Sequence, residues 1–111
     1  MALRIYDVMI EMVRDVGGFA RRIEKRDPDL ARQLRRASAS VPLNLSEGLY
    51  SQGRNREARL YNSMGSAKET LACLDVAAAL GYIPEPAVAA ERERLDRIVA
   101  TLWRLIHRPQ R

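Results

Sequence analysis

The stretch "RRASASVPLNLSEG" (Arg35–Gly48) sets a proline inside what is otherwise a helical pattern. Leu34, Ala37, Val41 and Leu45 recur at spacings of three, four and four, the beat of one helix face. An interior proline removes a backbone hydrogen bond and costs about 3 kcal/mol or more. A helix that tolerates Pro42 must therefore satisfy the freed groups locally. The carbonyl deprived of its partner belongs to Ser38, with the Ser40 hydroxyl or water as its expected help. On a helical wheel Gln33, Ser40, Asn44 and Glu47 form a polar stripe beside the apolar one, and Arg32, Arg35 and Arg36 fill the next sector. The second helix is thus expected to be kinked or locally distorted at Pro42. Asn44 and Glu47 read as structural residues, satisfying backbone groups or a subunit contact, with Glu47 paired to Arg59 or Arg36. Glu69 is expected to pair with an arginine across helices.

The same 3.6-residue beat runs through nearly the whole chain, and no stretch alternates apolar and polar residues long enough for a strand. A first helix covers about residues 3–25, with Ile5, Val8, Met12, Val16, Phe19 and Ile23 on one face. Asp27 then caps a second, about 28–50; Pro28 suits its first turn and Asp29 its positive end. The third, about 55–80, begins with Asn55 as N-cap and stops at Gly81, where glycine takes a left-handed conformation. Pro84 and Pro86 introduce the fourth, about 86–107, which turns Val88, Leu95, Ile98, Val99, Leu102, Leu105 and Ile106 inward. Short connections favour antiparallel neighbours, so the expected fold is all-α, an up-down four-helix bundle spanning one domain over residues 1–111.

The 111 residues are 47% apolar and 30% charged, which excludes a disordered chain, and no apolar run reaches the roughly 20 residues that cross a bilayer. The first residues read as mature structure, and a single cysteine, Cys73, permits no internal disulfide; both suit the cytoplasm. Net charge is +5, and 17 of the 19 basic residues are arginine, whose planar fork matches phosphate and carboxylate oxygens. An acidic partner follows from that excess.

Two helices carry more contact surface than one bundle uses. Apolar positions on the first sweep roughly 220°, well beyond the ~100° of a surface helix, and leave Leu3, Tyr6 and Ile10 as a second stripe. On the third, Asn62, Ser63, Ser66, Thr70 and Cys73 are small and uncharged, and Ala58, Gly65, Ala72 and Val76 form a further small-residue stripe. The expectation is a homo-oligomer closed through these helices, with Leu3, Tyr6, Ile10, Asn62, Ser63, Ser66 and Thr70 at the interface.

Three blocks occur in order: "QLRRASASVPLNLSEG" (Gln33–Gly48), "MGSAKETL" (Met64–Leu71) and "LGYI" (Leu80–Ile83). Together they resemble the four-helix-bundle proteins encoded in intervening sequences of bacterial large-subunit ribosomal RNA genes. That family is related to the accessory variability determinant of diversity-generating retroelements. The match covers Gln33, Arg35, Arg36, Pro42, Asn44, Glu47, Gly48, Gly65, Ser66, Glu69, Gly81 and Tyr82. Ser46 departs from the commoner alanine, and Pro84 with Pro86 crowds the start of the fourth helix. The resemblance implies a homopentamer with a basic surface, nucleic-acid binding and, for the retroelement branch, a reverse transcriptase partner.

Catalysis finds little to build on. His107 is the single histidine, Cys73 has no adjacent histidine or second cysteine, and no phosphate loop or metal-ligand spacing occurs. No enzyme, cofactor or metal is expected. Phe19, Tyr61 and Trp103 fall at or beside core positions, leaving few rings to stack unpaired bases. RNA or DNA is instead expected to meet Arg32, Arg35, Arg36, Arg54, Arg56 and Arg59, six arginines set against Glu47 and Glu57, by charge and shape and without sequence preference. The alternative is a protein-binding scaffold that recruits an acidic partner. A membrane-surface role is disfavoured because the bundle claims the apolar faces.

Overall fold

In the computed structural model, which describes residues 2–108 and the side chains of residues 4–108, four helices follow one another. They are α1 (Ala2–Glu24), α2 (Pro28–Leu49), α3 (Gly53–Ala79) and α4 (Glu85–His107), and no strand occurs among the described residues. The extents are 48 × 22 × 19 Å. At 1.5 Å per residue α3 alone is roughly 40 Å long, so helix length sets the long dimension. No described helix is long and apolar enough to cross a membrane.

Local chemistry explains the turns. The Asp27 carboxylate accepts a hydrogen bond from Leu30 N at 3.0 Å, and Pro28 opens α2 without needing a donor. Gly53 and Gly81 both have positive φ, 58° and 81°, and turn the chain into α3 and out of it. The third helix starts three residues earlier than an Asn55 cap implies: Gln52 occupies the N-cap with extended backbone and no side-chain cap bond. The left-handed Gly53 makes the bend, so a capping side chain is not required.

Cross-helix pairs give the directions. Ser40, Val41 and Glu47 of α2 meet Ser66, Ser63 and Arg59 of α3, so the two run antiparallel. Asp75 and Arg56 of α3 meet Arg92 and the Leu105 carbonyl of α4, again antiparallel. The core between them holds Met9, Met12, Val16 and Ile23 of α1, Leu34, Val41 and Leu45 of α2, Leu60 and Leu74 of α3, and Leu95, Ile98 and Leu102 of α4, all essentially solvent-free. Met9 and Ala20 join the buried stripe of α1, while Val8 and Phe19 pack on its flank. Close packing of such side chains, each worth about 1.5–3 kcal/mol when buried, is what holds the bundle together.

Helix α2 is continuous through Pro42, which is buried. The polar stripe around it is spent on joining α2 to α3. Ser63 Oγ donates to the Val41 carbonyl at 2.7 Å, and Ser66 Oγ donates to Ser40 Oγ at 2.8 Å. The Asn44 amide donates to Ser40 O at 3.0 Å and to Ser40 Oγ at 2.8 Å. Asn44 thus bonds the Ser40 carbonyl and not the Ser38 carbonyl that Pro42 deprives, and the Ser40 hydroxyl, expected to help Ser38, is engaged with Asn44 and Ser66 instead.

This arrangement corrects part of the expected subunit surface. Ser63 and Thr70 have no exposed area; both are buried within the chain, Ser63 against α2 and Thr70 donating to Ser66 O at 2.8 Å. They are not available to another copy: the seam beside Pro42 takes up Ser63, and a bond within its own helix takes up Thr70. Ser66 is partly buried in the same seam. Asn62 and Tyr6 are exposed, Ile10 is half-buried, and the Leu3 side chain lies outside the described residues. Ser63→Ala removes a buried donor but leaves the Val41 carbonyl its place in the helix. The expected cost is about 1 kcal/mol, read as a lower urea midpoint by circular dichroism.

Candidate nucleic-acid interface

The expected arginines fall into two groups that the fold sets apart. Arg32, Arg35 and Arg36 lie in the first half of α2, whereas Arg54, Arg56 and Arg59 sit at the start of α3, which runs beside the end of α2. Sequence proximity suggested one patch. The antiparallel turn instead puts the groups toward opposite ends of an open groove of about 1030 Å³ between α2 and α3. Its walls include Arg32, Arg36 and Arg59, the acids Asp29, Glu47 and Glu69, and the polar residues Gln33, Ser40, Asn44 and Ser66. Three arginines thus face three carboxylates, so the groove itself carries no excess charge.

Ion pairs further divide the arginines. Arg32 Nη1 lies 2.9 Å from Asp29 Oδ1, Arg35 Nη2 lies 2.7 Å from Glu24 Oε1, and Arg59 Nη1 lies 3.0 Å from Glu47 Oε1. All three pairs are solvent-exposed and worth at most about 1 kcal/mol, so a phosphate competes with them readily. The Glu47–Arg59 pair is one of the two foreseen for Glu47. Arg56 Nη1 donates to the Leu105 carbonyl at 3.4 Å near the end of α4, a structural contact. Arg36 and Arg54 make no ion pair among the described residues, and neither does Glu69.

Two features escaped sequence reasoning. The first is Arg21, Arg22, Lys25 and Arg26, all exposed, at the end of α1 and beside the start of α2. The run "RRIEKRD" (Arg21–Asp27) was the available signal, hidden by treating helix 1 only as a packing element. The second is Glu91, which is only 3% exposed. It occupies the buried ladder Val88, Glu91, Leu95, Ile98, Leu102 of α4, a register readable from the spacings alone. Arg94 Nη1 lies 2.9 Å from Asp15 Oδ2 of α1 and 3.7 Å from Glu91 Oε2, and Glu91 Oε1 has no hydrogen-bond partner. Burial raises the Glu91 carboxyl above its ordinary pKa; Arg94 draws it back and Asp15 adds to the rise.

Reactive chemistry is sparse. Cys73 is buried, and burial, with Glu69 adding to it, raises its thiol pKa, which disfavours the nucleophilic thiolate. His107 Nδ1 lies 2.8 Å from the Trp103 carbonyl and its ring stacks on Trp103 at 3.9 Å. Among the described residues no three His, Cys, Asp or Glu side chains gather as metal ligands.

A profile described as "23S rRNA-intervening sequence protein" matches residues 1–104. Among solved structures, a protein of unknown function from the S23 ribosomal protein family of Bacteroides thetaiotaomicron superposes with a TM-score of 0.85 at 18% identity, over 93% of this chain and 98% of that one. At that identity the likeness speaks for the fold. No curated protein matches the chain.

Proposed function

The chain belongs to the 23S rRNA-intervening sequence protein family, and from that premise we propose that it is a non-enzymatic, homo-oligomeric helical bundle that binds nucleic acid through arginines, largely without regard to sequence. The observation that carries this reading is the row of exposed arginines along the rim of the α2–α3 groove. Arg36 and Arg59 bracket it, Arg59 standing opposite Glu47, roughly 17 Å along α2 from Arg36 at 1.5 Å per residue. At about 3.4 Å of rise per nucleotide that reach spans about five steps of a strand.

Self-association is the second half of the proposal. Tyr61 and Val76 of α3 are 46% and 47% exposed, Tyr61 standing in water and not beside the core as expected; Leu80, just past the end of α3, is 54% exposed, and the small residues Ala58, Gly65 and Ala72 are exposed too. Burying that face between copies removes apolar surface that the single chain leaves in water. The family resemblance favours five copies, so light scattering should return about five times the 12.6 kDa chain mass; a chain-mass particle at micromolar concentration would remove this half.

Binding is tested by fluorescence anisotropy on a mixed-sequence duplex across a salt series. Affinity should fall steeply, with a log–log slope near −0.9 per phosphate neutralised, and Arg35→Ala with Arg36→Ala should flatten it without dissociating the oligomer. No binding at 50 mM salt would sink the reading. The equal numbers of arginines and acids in the groove favour a second one, a scaffold that docks a charged protein segment. Pull-down of a protein that survives nuclease treatment would support it.

A further inference from the structure

We propose that the phosphate-contacting centre of this protein is the α1–α2 corner, formed by Arg21, Arg22, Lys25 and Arg26 with Arg36, and that its ligand is the backbone of a nucleic-acid duplex. The inference rests on the nucleic-acid reading above and relocates its centre away from the start of α3.

Charge distribution carries it. From Arg21 to Arg36 there are seven basic residues and three acids, an excess of four in a chain whose whole net charge is +5. From Glu47 to Arg59 there are three arginines and two acids, an excess of one. The structure also shows how the three corner acids are occupied. Asp29 pairs with Arg32, Glu24 pairs with Arg35 across the α1–α2 seam, and Asp27 accepts the capping bond of Leu30. Arg21, Arg22, Lys25 and Arg36 are exposed and make no ion pair among the described residues. Arg26 lies over the Tyr82 ring at 5.6 Å, an arrangement that holds the guanidinium without cancelling its charge.

Basic side chains in the last turn of α1 also complement the negative end of that helix. That need accounts for one or two charges, since the dipole acts only within the final turn. It leaves the unpaired Arg36 on α2, beyond the reach of that dipole, unexplained. The stretch from Arg21 to Arg36 holds no aromatic residue, and the Tyr82 ring lies under Arg26. Base stacking therefore has no platform there, which selects phosphates presented by a duplex over splayed single strands.

The test uses the full chain and a mixed-sequence 20-base-pair duplex, as DNA and as RNA, titrated from 50 to 300 mM NaCl. The quadruple variant Arg21→Gln, Arg22→Gln, Lys25→Gln, Arg26→Gln should flatten the log–log salt slope by about 3–4, one unit for each lost phosphate contact. Arg54→Gln with Arg59→Gln should change it by less than about 1. Glu24→Gln releases Arg35 and should tighten binding and steepen the slope by about 1, a gain that damaged folding does not produce. Lysine at positions 21, 22 and 26 should retain the slope, with circular dichroism checking helicity. If the quadruple variant keeps the native slope while the Arg54/Arg59 pair flattens it, the corner is wrong and the nucleic-acid reading stands. If lysine fails to retain binding in a folded protein, the charge account of the corner is also wrong. If the native protein binds neither duplex at 50 mM salt, both fall.

Discussion

Gly48→Val is expected to destabilise the bundle by about 3 kcal/mol, measured by urea unfolding under circular dichroism. A Cβ built at Gly48 lies 3.1 Å from Leu60 Cδ2 and 3.2 Å from Arg59 Cβ. Arg59 Cβ is fixed to its own backbone and Leu60 has no exposed area, so neither neighbour yields without moving α3. Alanine at this position gains roughly 1 kcal/mol of helix propensity but meets the same two contacts, leaving a net loss of about 1 kcal/mol. Valine adds two further carbons and a restricted χ1 to an already filled space. Gly17 and Gly65 supply the contrast. Nothing lies within 4 Å of a Cβ at either, so alanine there should stabilise the chain by about 1 kcal/mol. Opposite signs at Gly48 and Gly17 are the expected result; a gain at all three positions would mean that α2 and α3 do not approach closely at Gly48. Gly65 adds a separate readout: if its face packs between copies, alanine there stabilises the protomer yet lowers the mass seen by light scattering.

Arg94→Met should cost about 3 kcal/mol at pH 7 and much less in acid. Arg94 joins the partly exposed Asp15 to the buried Glu91 where α1 meets α4. Removing one partner of a buried pair costs about 3–5 kcal/mol because the other charge is left in low dielectric. The lower end applies here, since Glu91 escapes part of the penalty by taking up a proton. The sign follows from linkage. Burial places the folded Glu91 pKa above its unfolded value, so the folded chain holds that proton more tightly. The resulting stabilisation is complete below the ordinary value of 4.5 and is lost as pH rises through the folded pKa. Arg94 is the influence that lowers this pKa, and without it the loss continues to higher pH. The gap between native and variant proteins should therefore open as pH rises and close below 4.5. Glu91→Gln should do the reverse of harm: it removes a buried charge with an unpartnered oxygen and raises the urea midpoint at pH 7. A gap of equal size at acidic and neutral pH would show that another group sets the pH dependence.

The seam beside Pro42 shows how far the sequence could be read. Spacing alone identified Gln33, Ser40, Asn44 and Glu47 as one stripe, and all four line the groove. It also offered Arg59 as a partner for Glu47, because helical periodicity fixes which residues share a face once the helix is recognised. It misjudged Ser63 and Thr70. Their small, uncharged character was real, but a subunit contact and an internal hydrogen-bonded seam demand the same kind of residue. In "ERERLDR" (Glu91–Arg97) six of the seven residues are charged, and only the ladder from Val88 to Leu95 marks Glu91 as inward.

By itself the sequence determined the four helices, their breaks at Asp27-Pro28 and Gly81, most of the core, and a family resemblance carried by blocks between Gln33 and Ile83. Each is encoded locally, in a 3.6-residue period or a backbone preference that acts over a few neighbours. Only the tertiary structure decided which exposed charges stay unpaired, which polar residues stitch α2 to α3, and that two arginine groups stand at opposite ends of one groove. Those outcomes depend on distances between residues remote in the chain, and electrostatic and hydrogen-bond energies change from negligible to decisive within a few ångströms of them.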